Sequence, residues 1–295
     1  MGNSVRLAKL QANPVVMASL GAVFMVFVWS GWIILSRAGV QSSLTPADLT
    51  MIRFGTAAVF ALPFALRYDW AKVTLWKAVI VSLGCGFPYT MFSFYGLLSI
   101  KAANAGVIVN GLLPVFGVIL AFLVLGERTT IRRLFAIGLI LLANLIMMGQ
   151  PQAIQDNWFG WLMLIGASLV FSIYMFLAKR YGFTSRDALA FLPLINAVLF
   201  LPIWWMSDSG IPETPVSTIL LQASYQGILV SIVTLLITFY AIKHIGAMTL
   251  SIYFSFVPFV TALLAWPILH ESLSITEILG IILCSVGLLF YARKG

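Results

Sequence analysis

The sequence predicts an all-α membrane protein with ten transmembrane helices, arranged as two inverted five-helix repeats. Three observations predict it: the scarcity of charge, the number of long apolar stretches, and a weak internal repeat. Of the 295 residues, 61% are hydrophobic and 9% are charged, whereas a soluble domain carries about 25% charged residues. Such a chain cannot cover a water-facing surface, so lipid is its expected solvent.

The apolar stretches are long enough to cross a bilayer. A helix needs roughly 20 predominantly apolar residues to do so. Ten stretches of the sequence qualify, and the connections between them are too short to hold a soluble domain. The predicted spans are 15–36, 46–66, 73–98, 103–124, 132–149, 158–178, 187–206, 220–241, 247–269 and 275–292.

The basic residues predict the orientation. If the N-terminus lies in the cytoplasm, 14 of the 17 Lys and Arg residues fall on the cytoplasmic side. Arg37 and Lys101 fall on the opposite side, and Arg53 lies within the second span. Because cytoplasmic loops carry an excess of Lys and Arg, we expect a multi-pass bacterial inner-membrane protein with both termini cytoplasmic. The net charge of +8 does not indicate nucleic acid, since the basic residues form no single stripe.

The two halves of the chain, 1–150 and 151–295, match weakly but in order. Each repeat has five helices, an odd number, so the second repeat begins on the other side of the membrane. Secondary transporters use this inverted architecture and bind substrate near the midplane, between the repeats. The matching pairs are Trp29-Ser30 with Phe171-Ser172, Asp48 with Asp187, Leu62-Pro63 with Leu201-Pro202, Phe94-Tyr95 with Phe239-Tyr240, Pro114 with Pro258, Glu127 with Glu271, and Gly138 with Gly280.

Two short segments carry a resemblance to a known family. The stretch from Pro114 to Gly126-Glu127, followed by Ile137-Gly138-Leu139, resembles the end of an EamA-type repeat. The stretch from Pro258 to His270-Glu271, followed by Leu279-Gly280-Ile281, resembles a second copy. Two such units in one chain resemble the ten-helix drug/metabolite transporter superfamily. The resemblance covers essentially the whole chain and implies small-molecule transport by alternating access.

A closer resemblance is to the aromatic amino-acid exporters of bacterial inner membranes. It is carried by Trp29-Ser30, Pro88-Tyr89 and the stretch from Asn110 to Pro114. Leu113 and Phe171 stand where such exporters would have larger indole side chains, so a broader range of neutral amino acids is expected. The alternative is a general small-metabolite or multidrug exporter of the same superfamily, because an aromatic, uncharged cavity suits those substrates too.

Aromatic and polar residues inside the spans are the candidates for the substrate pathway. Aromatic faces bind apolar side chains by burial and an ammonium group by cation–π contact. Packing is the alternative for Ser93 and Thr238, and an interfacial belt is the alternative for Trp29 and Phe171. The expected substrate-binding residues are Trp29, Tyr89, Phe92, Ser93, Asn110, Phe171, Tyr174, Thr234, Thr238 and Phe254.

Prolines inside the spans are candidate hinges. Pro88, Pro114 and Pro258 would each remove an i→i−4 hydrogen bond and bend a helix, either as a hinge or as a static kink. Asn110 lies one turn before Pro114, where its amide could bond freed carbonyls or a substrate.

Charged residues inside the spans are rare. We expect Arg53 to be structural, paired with Asp48 or close to the membrane surface. Glu127 and Glu271 end the fourth and ninth spans and are expected to anchor the repeats. Since no Asp or Glu is predicted at mid-depth, transport is expected to be facilitative or coupled by a group that the sequence does not identify.

The same scarcity of chemistry-bearing side chains argues against other classes of protein. An enzyme needs convergent His, Cys, Asp or Glu side chains, and the 2 His and 9 acidic residues lie mostly at membrane edges. No cofactor or metal is expected. A channel would need a selectivity ring, whereas a lipid flippase stays open as an alternative. The expected partners are a small-molecule substrate and the bilayer, and nothing requires more than a monomer.

Overall fold

Apolar helices build nearly all of the computed structural model, which describes residues 13–149 and 155–292. Within those ranges there is no β-strand. Outside them lie the predicted repeat boundary at 150/151 and the basic residues Arg6, Lys9, Arg293 and Lys294. In chain order the helices are α1 (Pro14–Val40), α2 (Pro46–Leu66), α3 (Leu75–Gly84), α4 (Phe87–Ser99), α5 (Ala102–Leu125), α6 (Ile131–Met148), α7 (Trp158–Arg180), α8 (Ser185–Trp205), α9 (Val216–Gln222), α10 (Thr234–Phe254), α11 (Val257–Leu269) and α12 (Ile275–Ala292).

The described helices make ten crossings, which confirms the predicted fold class. The third crossing is formed by α3 and α4 together. The run Val216–Phe254 is helical over 39 residues, which is about 58 Å at the rise of an α-helix and twice the hydrocarbon thickness. Gly246, with φ 80° and ψ 155°, divides this run. The eighth crossing ends there, and the ninth continues through the rest of α10 into α11.

The first crossing is longer than predicted, ending at Val40 and not at residue 36. Arg37 does not end the helix, because its guanidinium is satisfied by other parts of the chain. It donates to the Glu271 carboxylate at 2.9 Å and to the Leu98 carbonyl at 3.0 Å. A cation with such partners can remain in a helix at the membrane surface.

The second helix of each repeat begins with the same capping box. In α2 the Thr45 hydroxyl accepts from the Asp48 backbone N–H at 3.1 Å, and the Asp48 carboxylate accepts from the Thr45 N–H at 3.1 Å. In α8 Thr184 and Asp187 form the same pair of bonds, at 3.3 and 2.7 Å. Such a box satisfies N–H groups that a helix start leaves free. The same capping box therefore starts the equivalent helix of both repeats.

These boxes also join the repeats in a reciprocal way. Trp204, at the end of α8, donates its indole N–H to Asp48 at 2.8 Å. Tyr68, just after α2, donates its hydroxyl to Asp187 at 2.6 Å. Each helix therefore begins where the other one ends. Two antiparallel helices related by a two-fold axis in the membrane plane produce this arrangement.

Helix packing follows the same inverted symmetry. The first crossing packs on the eighth and ninth, and the sixth packs on the third and fourth. The second pairs with the seventh, and the fifth pairs with the tenth. The core is therefore built mainly between the repeats. A ligand bound at this core would touch both repeats.

The outer surface is apolar. Leu123 is 71% exposed, Val59 69% and Leu145 65%. A soluble protein rarely exposes so much contiguous apolar area. In a bilayer these side chains contact acyl chains, which are as apolar as Leu itself.

The two ends of the helix bundle are named by the chain termini. The terminal face is the one at which α1 begins and α12 ends. The distal face is the opposite one, at which α1 ends and α12 begins.

Candidate substrate site between the repeats

The third crossing is broken in its middle, and a buried asparagine bridges the break. α3 ends at Gly84 and α4 begins at Phe87. Asn196 of α8 accepts from the Phe87 N–H at 2.8 Å and donates to the Ser82 carbonyl at 3.0 Å. A Cβ on Gly86 would lie 1.8 Å from the Asn196 Oδ1 atom, so this close approach requires glycine. The amide thus satisfies backbone groups that the break leaves free in an apolar interior.

The equivalent crossing of the second repeat is also irregular. The segment Ala223–Val233 is a π-helix, and the 145-residue offset of this crossing places Gly86 opposite Ser231. The Ser231 hydroxyl donates to the carbonyl of Gln226, five residues back, at 2.8 Å. Interrupted helices at equivalent positions of both repeats mark the binding site in many transporters, and π-helical segments often occur at functional sites.

An aromatic run lies beside these two interruptions. The Trp32 ring stacks on Tyr89 with ring centroids 5.6 Å apart. Tyr89 is 5.0 Å from Phe171, which is 5.4 Å from Tyr174. The run crosses from α1 and α4 of the first repeat to α7 of the second. It brings together three of the predicted site residues, and Trp32 joins them.

Two buried glutamines hold Trp32 in place. The Trp32 indole N–H donates to Gln226 Oε1 at 3.2 Å. Gln226 donates to Gln222 Oε1 at 2.7 Å, and Gln222 donates to the Leu35 carbonyl at 2.9 Å. Neither glutamine is among the predicted site residues, and Trp32 is not among them either. Their i, i+4 spacing inside an apolar span was the available signal.

Trp29 and Phe254 both pack against an apolar cluster that adjoins the aromatic run. Trp29 is half-buried, and its ring lies edge-on to Trp32 with centroids 6.1 Å apart. Phe254, also half-buried, packs with Trp29 in one apolar cluster. Thr238 lies near the same cluster, where its hydroxyl donates to the Met25 sulfur at 3.2 Å. These three predicted residues therefore lie at one side of the aromatic run.

The remaining polar candidates donate to their own helices. Ser93 donates to the Tyr89 carbonyl at 2.8 Å, and Thr234 donates to the Val230 carbonyl; both are buried. In this conformation neither hydroxyl has a proton free for a ligand. Asn110 donates to the Gly106 carbonyl at 2.8 Å and is half-buried.

Phe92, the last of the predicted site residues, is half-buried and packs on α7. A Cβ on Gly166 would lie 3.7 Å from its ring. Phe92 therefore contacts α7, the helix that supplies Phe171, but it does not stack on the aromatic run.

The three predicted hinge prolines differ in position. Pro114 lies inside α5, but Pro88 and Pro258 lie in the first turns of α4 and α11. A proline in a first turn removes no i→i−4 bond, because that N–H has no helical partner anyway. For these two prolines the expected loss of a hydrogen bond is therefore wrong. They begin new helices after breaks.

Matching serines contact the residues before two of these prolines. Ser30 donates to the Val257 carbonyl at 3.2 Å, and Ser172 donates to the Leu113 carbonyl at 3.4 Å. Ser30 and Ser172 are equivalent in the two repeats, and so are the carbonyls that accept from them. The first helix of each repeat is thereby bonded to the fourth helix of the other.

Arg53 is buried in the core, contrary to expectation. It is 4% exposed, and its guanidinium lies 5.4 Å from the Trp32 ring centroid and 5.5 Å from that of Phe54. The expected pairing with Asp48 is wrong, since that carboxylate accepts from Trp204, as described, and from Ser209 at 2.7 Å. The Nε and Nη1 atoms of Arg53 are shielded from solvent without a hydrogen-bond acceptor.

Ion pairs close the distal face. Arg37 bonds Glu271, whose other carboxylate oxygen accepts from the Ala102 N–H at 2.9 Å. Lys101 lies 3.2 Å from Glu277 and donates to the Ser272 carbonyl at 3.0 Å. These bonds connect α1 and α5 of the first repeat to the end of α11 and the start of α12. Glu271 thus anchors the second repeat to the first.

Burial changes along α5 from the distal to the terminal face. Residues 102–109, in the distal half of α5, are all buried, whereas residues 122–125 at its terminal end are all exposed. The aromatic run therefore lies between a distal face closed by ion pairs and a terminal face at which Lys179 and Glu127 are exposed. Asn110, Phe171 and Tyr174 are half-buried at the boundary between them. Such an arrangement can bind a small molecule near mid-depth with access from one face at a time.

This fold and site define a class: membrane transporters made of inverted repeats, with the binding site between them. The EamA-like transporter family matches the chain twice, over residues 16–149 and 158–293. The chain therefore belongs to the EamA-like transporter family and is a membrane transporter.

Individual relatives are distant. The uncharacterized transporter YoaV of Bacillus subtilis (strain 168) is 22% identical over 278 residues, covering 91% of this chain and 94% of its own. An uncharacterized transporter of Clostridium kluyveri is 26% identical over 274 residues, covering 84% of this chain and 83% of its own. A protein of known crystal structure has a TM-score of 0.59 at 17% identity, covering 93% of this chain and 97% of its own. That likeness shows the fold alone.

Proposed function

We propose that this transporter exports amino acids, aromatic and other neutral ones, across a bacterial inner membrane by alternating access. The observation that carries the proposal is the aromatic run from Trp32 to Tyr174, which both repeats build beside the broken third crossing. Rings at these distances bind apolar and aromatic side chains by burial and by edge or stacked contacts.

The orientation in the membrane is inferred from charge. The excess of Lys and Arg supports a cytoplasmic terminal face. The ion pairs would then close the outer face, and the conformation would be inward-facing. An exporter in this state takes up its substrate from the cytoplasm.

The coupling is inferred from the acidic residues. Asp48, Asp187 and Glu277 all lie in the first turns of their helices and so near a membrane surface. We therefore infer facilitative transport, driven by the amino-acid gradient. Strict dependence of flux on a pH gradient in proteoliposomes would contradict this inference.

The substrate class is tested with purified protein in proteoliposomes. The panel contains labelled phenylalanine, tyrosine, tryptophan, leucine and threonine, with a planar cationic dye as the multidrug alternative. We expect saturable flux of the aromatic amino acids, competition by the other neutral ones, and little movement of the dye. Flux of the dye alone would overturn the proposal in favour of a multidrug exporter.

A pair of tyrosines on one helix gives the matched test of the site. Tyr89→Ala removes a ring from the aromatic run and should lower apparent affinity about 10-fold through lost burial and ring contacts. Tyr95, on the same helix, is 37% exposed and contacts Phe159 outside the run. Tyr95→Ala should keep the affinity of the native protein. Tyr89→Ala should also lower the melting temperature, because it leaves a cavity in the core, so both affinities are measured on the folded fraction. Equal affinities in the two variants would show that the site lies elsewhere.

A further inference from the structure

Arg53 lies where elements of both repeats meet. Trp32 of α1 lies under its guanidinium, and the polar groups near it are those of Cys85, at the helix break, and Tyr89, in the first turn of α4. From the other repeat, the π-helix packs directly on this part of α2. A Cβ on Gly227 would come within 2.5 Å of Thr56 and 3.2 Å of the Arg53 carbonyl oxygen. Arg53 is thus part of the interface at which a transporter of this architecture binds its substrate.

Among residues 13–149 and 155–292, none supplies a counter-ion to the guanidinium. Trp32, Phe54, Cys85 and Tyr89 are all neutral at neutral pH. The nearest carboxylate along the chain, that of Asp48, already accepts from several donors. An arginine held only for structure is normally paired and hydrogen-bonded when it is buried. Here Nε and Nη1 have neither solvent nor an acceptor within the described part of the chain.

The adjacent start of α4 adds positive potential. A helix N-terminus carries partial positive charge, and interrupted helices of transporters direct such ends at anionic groups of their substrates. Asn196 occupies the Phe87 N–H, and Pro88 has none. The charge at this point is therefore supplied by the helix end as a whole and by the guanidinium beside it.

We propose that Arg53 binds the carboxylate of the transported molecule, while the aromatic run binds its side chain. This inference rests on the proposed function and deepens it by naming the chemical group that the site selects. The planar guanidinium offers donors in a fork that matches a carboxylate. A phosphate would bring a second negative charge, and the residues that surround Arg53 supply no second cation.

If Arg53 binds the carboxylate, the site requires a carboxylate on its ligand and does not require an ammonium group. Phenylalanine and 3-phenylpropionate should both bind. Phenethylamine and phenylalanine amide, which keep the ring but lack a carboxylate, should bind at least about 10-fold more weakly, because they cannot accept from the guanidinium.

The test measures binding of these four compounds to detergent-purified full-length protein. Arg53→Gln should weaken binding of phenylalanine and 3-phenylpropionate by on the order of 10- to 100-fold, the usual range for a lost charge-assisted bond. It should leave the weak binding of phenethylamine and phenylalanine amide unchanged. Arg53→Lys, which keeps the charge but loses the fork, should recover part of the affinity. Arg180→Gln, at an exposed arginine of α7, is the control and should behave as the native protein does.

Stability distinguishes this function from a structural role. Because the native guanidinium lacks acceptors, Arg53→Gln should keep or raise the melting temperature without ligand. Phenylalanine should then raise the melting temperature of the native protein but not of the variant. A large loss of stability in Arg53→Gln, with unchanged carboxylate preference in the folded fraction, would overturn the proposal.

The possible failures are separable. If amino acids bind and Arg53→Gln binds them equally well, the Arg53 assignment is wrong while the proposed function stands. If 3-phenylpropionate binds in an Arg53-dependent manner but no amino acid does, the assignment stands and the amino-acid function is wrong. If neither carboxylate binds the native protein, both are wrong.

Discussion

The distal and terminal faces are built from equivalent halves of an inverted repeat, yet their charges are arranged differently. On the distal face, Arg37 and Glu271 lie 2.9 Å apart, with side chains only 12% and 10% exposed. Their counterparts in the repeat alignment, Lys179 and Glu127, lie on the terminal face and are both exposed. Equivalent charges are therefore present at both faces, but they form a partly buried ion pair only at the distal face.

This difference shows how one sequence can hold two conformations of similar energy. Exchanging the conformations of the two repeats would open the Arg37–Glu271 pair and bring Lys179 towards Glu127. Only a few bonds would change at each face, while the antiparallel contacts of α2 with α8 could persist. Inverted-repeat transporters move largely in this way, by rocking one bundle against the other about a fixed site.

The largest expected effect comes from the Asn196 clamp, the two hydrogen bonds by which Asn196 bridges the break in the third crossing. Asn196→Leu leaves the Phe87 N–H and the Ser82 carbonyl without their side-chain partner in an apolar interior. We expect a loss of about 2–5 kcal/mol in the free energy of unfolding, because each buried group left unsatisfied costs about 1–3 kcal/mol. The measurement is thermal or denaturant unfolding in detergent micelles.

Asn144→Leu is the matched control for that substitution. Asn144 is also a buried asparagine, but its amide donates only to the Ile140 carbonyl of its own helix, and its Oδ1 atom has no partner. Replacing it should cost less than about 1 kcal/mol. Equal losses in the two variants would contradict the inference that the bonds from Asn196 to Phe87 and Ser82 stabilise the broken crossing.

The clamp also shows where sequence reasoning succeeded and where it stopped. Ten crossings and their inversion follow from apolar length and an odd helix count, which are properties of the chain alone. The helix break at Gly86 and the partner of its free backbone groups depend on Asn196, 110 residues away. A lone amide in an apolar span does not reveal which backbone group it will meet.

Some site residues were likewise predicted from the sequence, whereas others depend on contacts that the sequence does not reveal. Tyr89, Phe171 and Tyr174 were predicted from aromatic character and pseudo-symmetry, and they do lie together. Arg53 was expected to pair with Asp48, five residues away, or to lie close to the membrane surface. That spacing does not place them on one helical face, and Asp48 contacts α8 and the loop after it instead. The rule that an intramembrane charge is a functional candidate is the sequence signal that points to Arg53.

An intermediate effect is expected from the distal ion pair. Arg37→Gln removes a partly buried partner of Glu271 and should destabilise the closed distal face by about 1–3 kcal/mol, between the values for surface and buried pairs. That energy shifts the ratio of closed to open distal faces by roughly 5- to 150-fold. Spin labels at Ser43 and Thr276, both exposed at the distal face, should report a longer distance.

A charge swap checks that this effect comes from the pair itself. Glu271→Gln should lengthen the same distance, and the double variant Arg37→Glu with Glu271→Arg should restore part of the native distribution. The restoration will be incomplete, because Arg37 also donates to the Leu98 carbonyl and Glu271 accepts from the Ala102 N–H. Identical distance distributions in all the variants would mean that the pair does not hold the distal face closed.

The smallest effect on this conformation is expected at Glu127 and Lys179, the terminal-face counterparts of Glu271 and Arg37. This effect is the most specific test of the symmetry. Glu127 and Lys179 are exposed here, so Glu127→Gln should change the free energy of unfolding by less than about 0.5 kcal/mol. If the two charges meet only when the terminal face closes, the variant should nevertheless slow amino-acid exchange in proteoliposomes several-fold. It should also shorten the Ser43–Thr276 distance or leave it as it is, whereas Arg37→Gln lengthens it. If Glu127→Gln lengthens that distance, as Arg37→Gln does, closing of the terminal face is not coupled to opening of the distal face. The inverted repeat would then account for the fold but not for the conformational change of transport.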